Sequence, residues 1–439
     1  MEATELARLQ FALLAAVHFL FVLLTLGLGP VVAIFNMRWV HAKGDRALVF
    51  ENATRFWGQL YLVNYALGIA AGIVLELQFG LHFPGLLDVA GEVFGAPLAV
   101  ETLVAFFLES TLLGLWVFGW HLFPRVLHAG IFWAVVLTGY VSAFTVMVAN
   151  GFLRNPLGYA LEGPPDAQVA RITDVGALVT NPAALLSSLH VVGACLMAGG
   201  FVLVGVSAWH LRRTGGGLRL PTGPDEDLWR HSMRAGIWTG AIGVLFAQAF
   251  GYSQFEYIDE TGAVDGNVDV SVLLEVMMRS ADLVLLGAFV LPFLLIAGAL
   301  FRMRGRRALY ATLTALLPLP FVVAILGWLA RELGRQPWIV QGVLGVDDAV
   351  SDQSSRTVLA SLVLLVGLMV TLAVLDWWVL GRLARAGTDR LVLGAAAGDV
   401  LRDDGASADV LLRFGAVPAA GAPGAPRAPG VEPGPEGAR

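Results

Sequence analysis

The chain has 439 residues, 57% of them hydrophobic and only 14% charged, with a formal net charge of −6. Soluble domains carry about 25% charged residues, so the bulk of this chain is excluded from a water-soluble fold. The acidic balance, without any Lys/Arg-rich run, argues against a nucleic-acid partner, and the single cysteine, Cys195, rules out an internal disulfide, a Cys-based zinc or iron–sulfur site and a CxxCH attachment motif.

The opening apolar stretch runs far beyond a signal-peptide core and has Glu2 and Glu5 where a positive region belongs, so it reads as a first spanning helix. A bilayer core takes about 20 apolar residues per helix, and nine segments meet that length: roughly 9–35, 57–79, 98–121, 127–152, 183–210, 232–254, 270–301, 309–333 and 357–381. The sequence therefore predicts an all-α integral membrane protein, a bundle of about nine transmembrane helices. The connections alternate in charge. Segments 36–56, 211–231 and 302–308 carry Arg38, Lys43, Arg46 and Arg55, then Arg212, Arg213, Arg219 and Arg230, then Arg302, Arg304, Arg306 and Arg307, and the turn at Arg125 joins them. Segments 80–97 and 255–269 hold no Lys or Arg, and the other two alternate connections hold only Arg154, Arg171, Arg335 and Arg356. By the positive-inside rule the N-terminus lies outside and the C-terminus in the cytoplasm. Residues 1–385 read as the membrane domain and 386–439 as a cytoplasmic tail, disordered from about 415, where the Ala/Gly/Pro composition cannot bury enough apolar surface to fold. No internal repeat marks a transporter built from duplicated halves.

Ionisable groups inside hydrocarbon are costly, so each is a functional candidate until it is paired. At 1.5 Å per residue, His18 lies about 14 Å below the outer edge, and His190 and Met278 about 10–12 Å. Two ligands from different helices at one depth are the arrangement that holds a haem iron from both faces, and a His/Met pair raises its potential for electron transfer; the bland alternatives are a hydrogen-bonded structural histidine and a filler methionine. Glu101 and Glu109 share one helix at about 5 and 17 Å. With Ser110 and Ser142 at similar depth, Glu109 reads as a proton relay or as a neutral carboxyl bonded between helices. Glu332 ends a helix in GWLARELGRQPW, beside Trp328, Arg335, Gln336 and Trp338. Arg335 there suits a bidentate clamp on a propionate, or the group is an interfacial anchor. His41, His82, His121, His128, His210 and His231 fall at helix ends or in loops and receive no role.

Several long strings, in order, now carry a resemblance: ARLQFALLAAVHFLFVLLTLG around His18, RFWGQLYLVNYALGIAAG with LELQFG after it, FGAPLAVETLVAFFLEST around Glu101 and Glu109, VANGFLRNP, NPAALLSSLH ending at His190, and GW…ELGRQPW around Glu332. Over about residues 5–385 the chain resembles subunit I of the cytochrome bd-type terminal oxidases. The resemblance implies nine helices, the bacterial cytoplasmic (inner) membrane, and three haems near the outer surface. A low-spin haem b would be held by His190 and Met278. A high-spin haem b and a haem d (or a third b-type haem) would be held among His18, Glu101 and Glu332. Arg335, Gln336, Trp338 and Trp328 would serve the propionates or the local structure, and Glu109, Ser110 and Ser142 a proton path from the cytoplasm. It implies a membrane subunit II, a small single-helix subunit in some assemblies, and quinol or another donor reducing O2 to water.

Two departures stand out. Val276 occupies the place of the family's Arg two residues before the methionine ligand, and the connection FEYIDETGAVDGNVD is short and lacks the family's GD-x-Q motif and lysine, so the quinol site is unknown from sequence. A donor other than quinol, such as a cytochrome c, follows as the alternative, beside a haem electron-transfer protein of the same fold; a proton-coupled transporter would not need the depth match of His190 and Met278.

Overall fold

Inside hydrocarbon a backbone N–H or C=O finds no water, so each apolar run must bond within itself, and helices are the result. The computed structural model describes residues 2–164, 167–213, 224–261, 306–334 and 337–394. Among the described residues eight helical stretches are long and apolar enough to cross a membrane. The ninth expected span, 270–301 with Met278, lies outside them, as do Arg335, Gln336 and the expected tail from residue 395.

The first five spans are α1 (Ala3–His41), α2 (Asp45–His82), α3 (Pro84–Phe118), α4 (Arg125–Arg154) and α5 (Pro182–Arg213). They are followed by α6 (Pro224–Thr261), α7 (Arg306–Ala315), α8 (Leu319–Gly334) and α9 (Ser355–Ala386). Pro318 and Pro320 separate α7 from α8 within one crossing. The helices outrun the apolar cores read from sequence. At 1.5 Å per residue the 39 residues of α1 reach about 58 Å, so polar ends such as Arg38–His41 stay helical outside the hydrocarbon. Two pieces depart from the all-α expectation. The connection after α4 holds an antiparallel hairpin, β1 (Tyr159–Glu162) on β2 (Val169–Ile172), with Tyr159 opposite Ile172. The one after α8 holds β3 (Trp338–Val340) on β4 (Leu344–Gly345).

Within α3, Thr102–Glu109 is wound as a π-helix. Each π turn takes up about one more residue than an α turn, so the eight residues separating Glu101 from Glu109 make a little under two turns in place of a little over two. The stretch turns Leu103 and Phe107 outward (62% and 59% exposed) and keeps Glu109 inside at 3%. Large exposed apolar side chains, among them Leu137, Val363 and Leu364, mark the outer faces of a bundle whose solvent is lipid.

Helix α1 is the hub: it packs on α2, α4, α5, α8 and α9. Lipid tails are as apolar as leucine, so helices associate here through close packing, and small residues make that possible. A Cβ on Gly27 would lie 2.9 Å from the Gly199 amide nitrogen and in collision with the Cys195 carbonyl, and one on Gly199 would lie 2.5 Å from the Gly27 oxygen. Higher on the same pair, the Cys195 thiol sits 3.9 Å from the Val22 carbonyl, so α1 and α5 run parallel. Helices α5 and α6 approach in the same way at Gly200, where an added Cβ would sit 2.5 Å from the Gly240 Cα. Gly27→Ala is therefore expected to lower stability by about 1–3 kcal/mol through overpacking, whereas Gly114→Ala, with nothing within 4 Å of the new Cβ, should be neutral or slightly stabilising. Thermal unfolding of the two variants in one detergent, followed by loss of the monodisperse peak, distinguishes them.

Candidate functional site

The candidate ligands are set by the crossing of α1 and α5. His18 lies nine residues before Gly27, and His190 nine before Gly199 (27 − 18 and 199 − 190). Two parallel helices touching at those glycines therefore carry both histidines at one level, about 14 Å along the axis from the crossing.

His190 is held from behind. Its Nδ1–H donates to the Ala247 carbonyl of α6 at 2.8 Å, which places the proton on Nδ1 and leaves the Nε2 lone pair for a ligand, the arrangement metal-binding histidines usually have. Gly251, one turn on, clears the ring: a Cβ there would stand 3.1 Å from Nδ1. The start of α5 is fixed by a clasp between two of the recognised strings. Asn181 Oδ1 accepts from the Ala183 amide (3.0 Å) and from Asn155 Nδ2 (3.3 Å), while Asn181 Nδ2 donates to the Asn155 carbonyl (2.7 Å).

His18 differs. Its Nδ1 is buried with no hydrogen-bond partner among the described residues, and the ring faces Gly72 of α2, where a Cβ would come 3.2 Å from Cε1. A buried polar atom left unpaired costs about 1–3 kcal/mol, which marks the ring as a candidate ligand. Its neighbour Phe19 meets Trp328 of α8, ring centroids 6.1 Å apart. Trp328 and Glu332 are four residues apart on one face of α8; Glu332 is 6% exposed, and Trp328 Nε1 is buried and unpaired among the described residues. Arg331 donates to Asn150 Oδ1, tying α8 to α4. Trp338 is half-buried in β3, opposite Gly345.

Two carboxyl stations follow along α3. Glu101 accepts from Ser142 Oγ at 3.2 Å and has the carboxyl of Glu76 of α2 beside it. Two turns deeper, Glu109 accepts from Tyr61 at 3.3 Å, and Tyr65, stacked on Tyr61 with centroids 5.9 Å apart, bonds Ser110 at 3.4 Å. Of the expected proton-path residues, Ser110 follows Glu109 on α3 and Ser142 bonds Glu101. Gly139 of α4 faces Glu109, its added Cβ 3.0 Å from Oε1, and Ser142, almost a turn further along, reaches the level of Glu101 instead.

Sequence reading missed Tyr61, Tyr65 and Glu76, although the last sits in the quoted LELQFG string. It also missed a largely buried polar cluster at the start of α1, the end of α2 and the start of α9, where Gln10 Nε2 donates to Gln78 Oε1 (2.8 Å) and Ser361 Oγ (3.0 Å) and His82 Nε2 pairs with Ser361 (2.9 Å). Asp376 of α9, 1% exposed with Oδ1 unpartnered among the described residues, was missed as well. The available signal was a polar residue inside an apolar span.

Among the described residues no three His, Cys, Asp or Glu side chains converge as a bare metal ion would need.

Residues 6–262 and 270–388 match the profile of the family described as cytochrome bd terminal oxidase subunit I. The chain belongs to that family. It is 30% identical to cytochrome bd ubiquinol oxidase subunit 1 of Bacillus subtilis (strain 168), across 80% of this chain and 86% of the relative. With cytochrome bd-II ubiquinol oxidase subunit 1 of Escherichia coli (strain K12) it shares 39% identity over 48% of this chain and 40% of the relative. The structure of bd oxidase from Geobacillus thermodenitrificans superposes with a TM-score of 0.74 at 21% identity, covering 88% of this chain and 98% of the other, which shows the common fold. As a bd-type subunit I, the chain is an oxidoreductase of respiratory electron transport in the bacterial inner membrane, in a family that carries haem.

The Asn155–Asn181 clasp makes a direct prediction. Asn181→Ala removes a helix cap and a cross-connection together, and should cost about 1–2 kcal/mol, read as a lower unfolding midpoint of the purified protein.

Proposed function

We propose that this chain is the haem-carrying catalytic subunit of the oxidase, reducing O2 to water with electrons from a quinol or another donor and protons from the cytoplasmic side. The observation that carries the reading is the pair of histidines at one level of α1 and α5, each with a ring nitrogen left for a ligand. His190 and Met278 would hold a low-spin haem b; His18, Glu101 and Glu332 would hold a high-spin haem b and a haem d or third haem b. Arg335, Gln336, Trp338 and Trp328 would line the propionate side. Bound haem supplies redox-active iron and, at one centre, an open position for O2.

The chain's own residues then handle protons and exclude water. Tyr61 holds the Glu109 carboxyl between α2, α3 and α4, where it takes a proton arriving from the Arg-rich face. Ser142 orients Glu101 at the outer station, and the Glu76–Glu101 pair is suited to hold one proton between two carboxyls. Reduction of O2 to two waters consumes four electrons and four protons; drawing the protons from the N-side and the electrons from the outer side separates charge with no pump. Relatives are named for ubiquinol and menaquinol, and quinol is the donor class proposed first, with a cytochrome c second because the 255–269 connection has no lysine. A membrane subunit II, and a small single-helix subunit, would complete the assembly.

The test is a reduced-minus-oxidised spectrum of the purified complex with and without carbon monoxide, followed by oxygen uptake with quinol and with reduced cytochrome c. His190→Ala should erase the low-spin b signal and leave the others; a colourless preparation with intact helices ends the reading. Glu109→Gln, which keeps the size of the side chain, should leave the spectrum unchanged and slow oxygen uptake roughly tenfold or more; full activity would remove Glu109 from the path.

A further inference from the structure

About 20 residues along α1 from His18, some 30 Å away, a cavity of about 370 Å³ opens where the Arg-rich connections emerge. Two cationic side chains border it, Arg38 from the end of α1 and Arg46 from the start of α2, with His41 beside them. The rest of the wall is apolar, with Ile34 and Met37 of α1, Phe50 of α2 and Trp133 of α4. Ile34, Met37, Arg38 and His41 follow the i, i+3, i+4, i+7 pattern of one helix face. Arg46 and Phe50 repeat it on α2. Three helices thus present apolar surface on the membrane side of the cavity and positive charge at its rim.

The charge at the rim is unspent. In the same connection Arg55 is ion-paired to Glu51 at 2.7 Å, whereas among the described residues neither Arg38 nor Arg46 has an acidic partner, Asp45 next in sequence included. The Arg38 guanidinium lies over the Phe50 ring, 5.7 Å from its centroid, which holds it at the mouth with its N–H donors available. His41 Nδ1 donates to the Met37 carbonyl at 3.0 Å, which fixes the ring and leaves Nε2 at the rim. Two guanidiniums are a phosphate-binding pair by geometry as well as charge, and a Trp beside them is the usual headgroup-level anchor.

We propose that this pocket binds an anionic phospholipid, its phosphate between Arg38 and Arg46 and its acyl chains along Ile34, Met37 and Trp133. Basic recesses between spanning helices on the cytoplasmic side recognise such headgroups. An inorganic phosphate shares the headgroup chemistry but would use none of the apolar wall.

Native mass spectrometry of the full-length purified complex tests this after exchange into phosphatidylcholine, phosphatidylglycerol or cardiolipin. The wild type should retain phosphatidylglycerol or cardiolipin at least fivefold over phosphatidylcholine. Arg38→Gln/Arg46→Gln should lose that preference, and Arg38→Lys/Arg46→Lys should keep most of it. Arg46→Gln alone, at the exposed start of α2, provides the same readout if the double variant does not fold. Inorganic phosphate at millimolar concentration should displace nothing. Equal retention in wild type and glutamine variants overturns the proposal, and so does full displacement by phosphate, which would make the site one for a small anion. A wild-type complex that binds no anionic lipid while residues 34–50 are protected from hydrogen exchange also overturns it, in favour of a protein contact.

Discussion

The rest of the structure depends on one contact: the backbone-to-backbone crossing of α1 and α5 at Gly27 and Gly199. Two side chains, even two alanines, would hold these helices apart, and everything α1 touches would move with it, because α1 also contacts α2, α4, α8 and α9. The crossing sets the relative height of two parallel helices to within a residue. It therefore determines which pairs of side chains lie level with one another, and His18 and His190 are such a pair. A soluble protein would obtain this kind of precision from a large apolar core; in a lipid solvent, contact distance does the same work.

Around this crossing the polar atoms divide into two populations. Some are fully satisfied and serve as fasteners: the Asn155–Asn181 clasp, Tyr140 donating to the Leu26 carbonyl at 2.9 Å, and Trp57 donating to Ser232 at 2.9 Å. Others are buried and lack partners among the described residues, including His18 Nδ1, Trp328 Nε1 and Asp376 Oδ1. In hydrocarbon an unsatisfied group costs several kcal/mol. At the β1–β2 hairpin the reverse holds. Glu92 of α3 accepts from Arg171 at 2.6 Å and from the Ile172 amide at 3.1 Å, which raises the Arg171 guanidinium above its ordinary range and neutralises one of the few positive charges on that face.

Much of this was legible in the residues themselves. Span positions follow from apolar length, because hydrocarbon thickness is a fixed ruler, and the bias of Arg38, Arg46 and Arg212 against Asp88, Glu92 and Asp265 follows from the cost of translocating charge. Depth along a helix is also linear in sequence, which is why His190 and Met278 could be assigned one depth from sequence. Angular relations between different helices are not. Nothing in the sequence says that Ser142 faces Glu101 while Gly139 faces Glu109, or that Tyr61 comes from α2 to meet the deeper carboxyl, since these depend on how three helices are rotated against one another. The small hairpins at Tyr159 and Trp338 escaped for a different reason: their strands are two to four residues long, too short for an alternating pattern to register.

The π-wound stretch of α3 has a consequence for how this segment tolerates change. Its outward side chains, Leu103 and Phe107, meet only the surroundings of the bundle, so many apolar replacements there leave the interior untouched. The count of residues is another matter. Eight positions at the wider winding make a little under two turns, and taking one residue out with a return to α winding would turn everything beyond it by roughly an eighth of a turn. Helix α3 is thus permissive in composition and strict in number, the opposite of a loop, where length varies freely and a few residue types are indispensable.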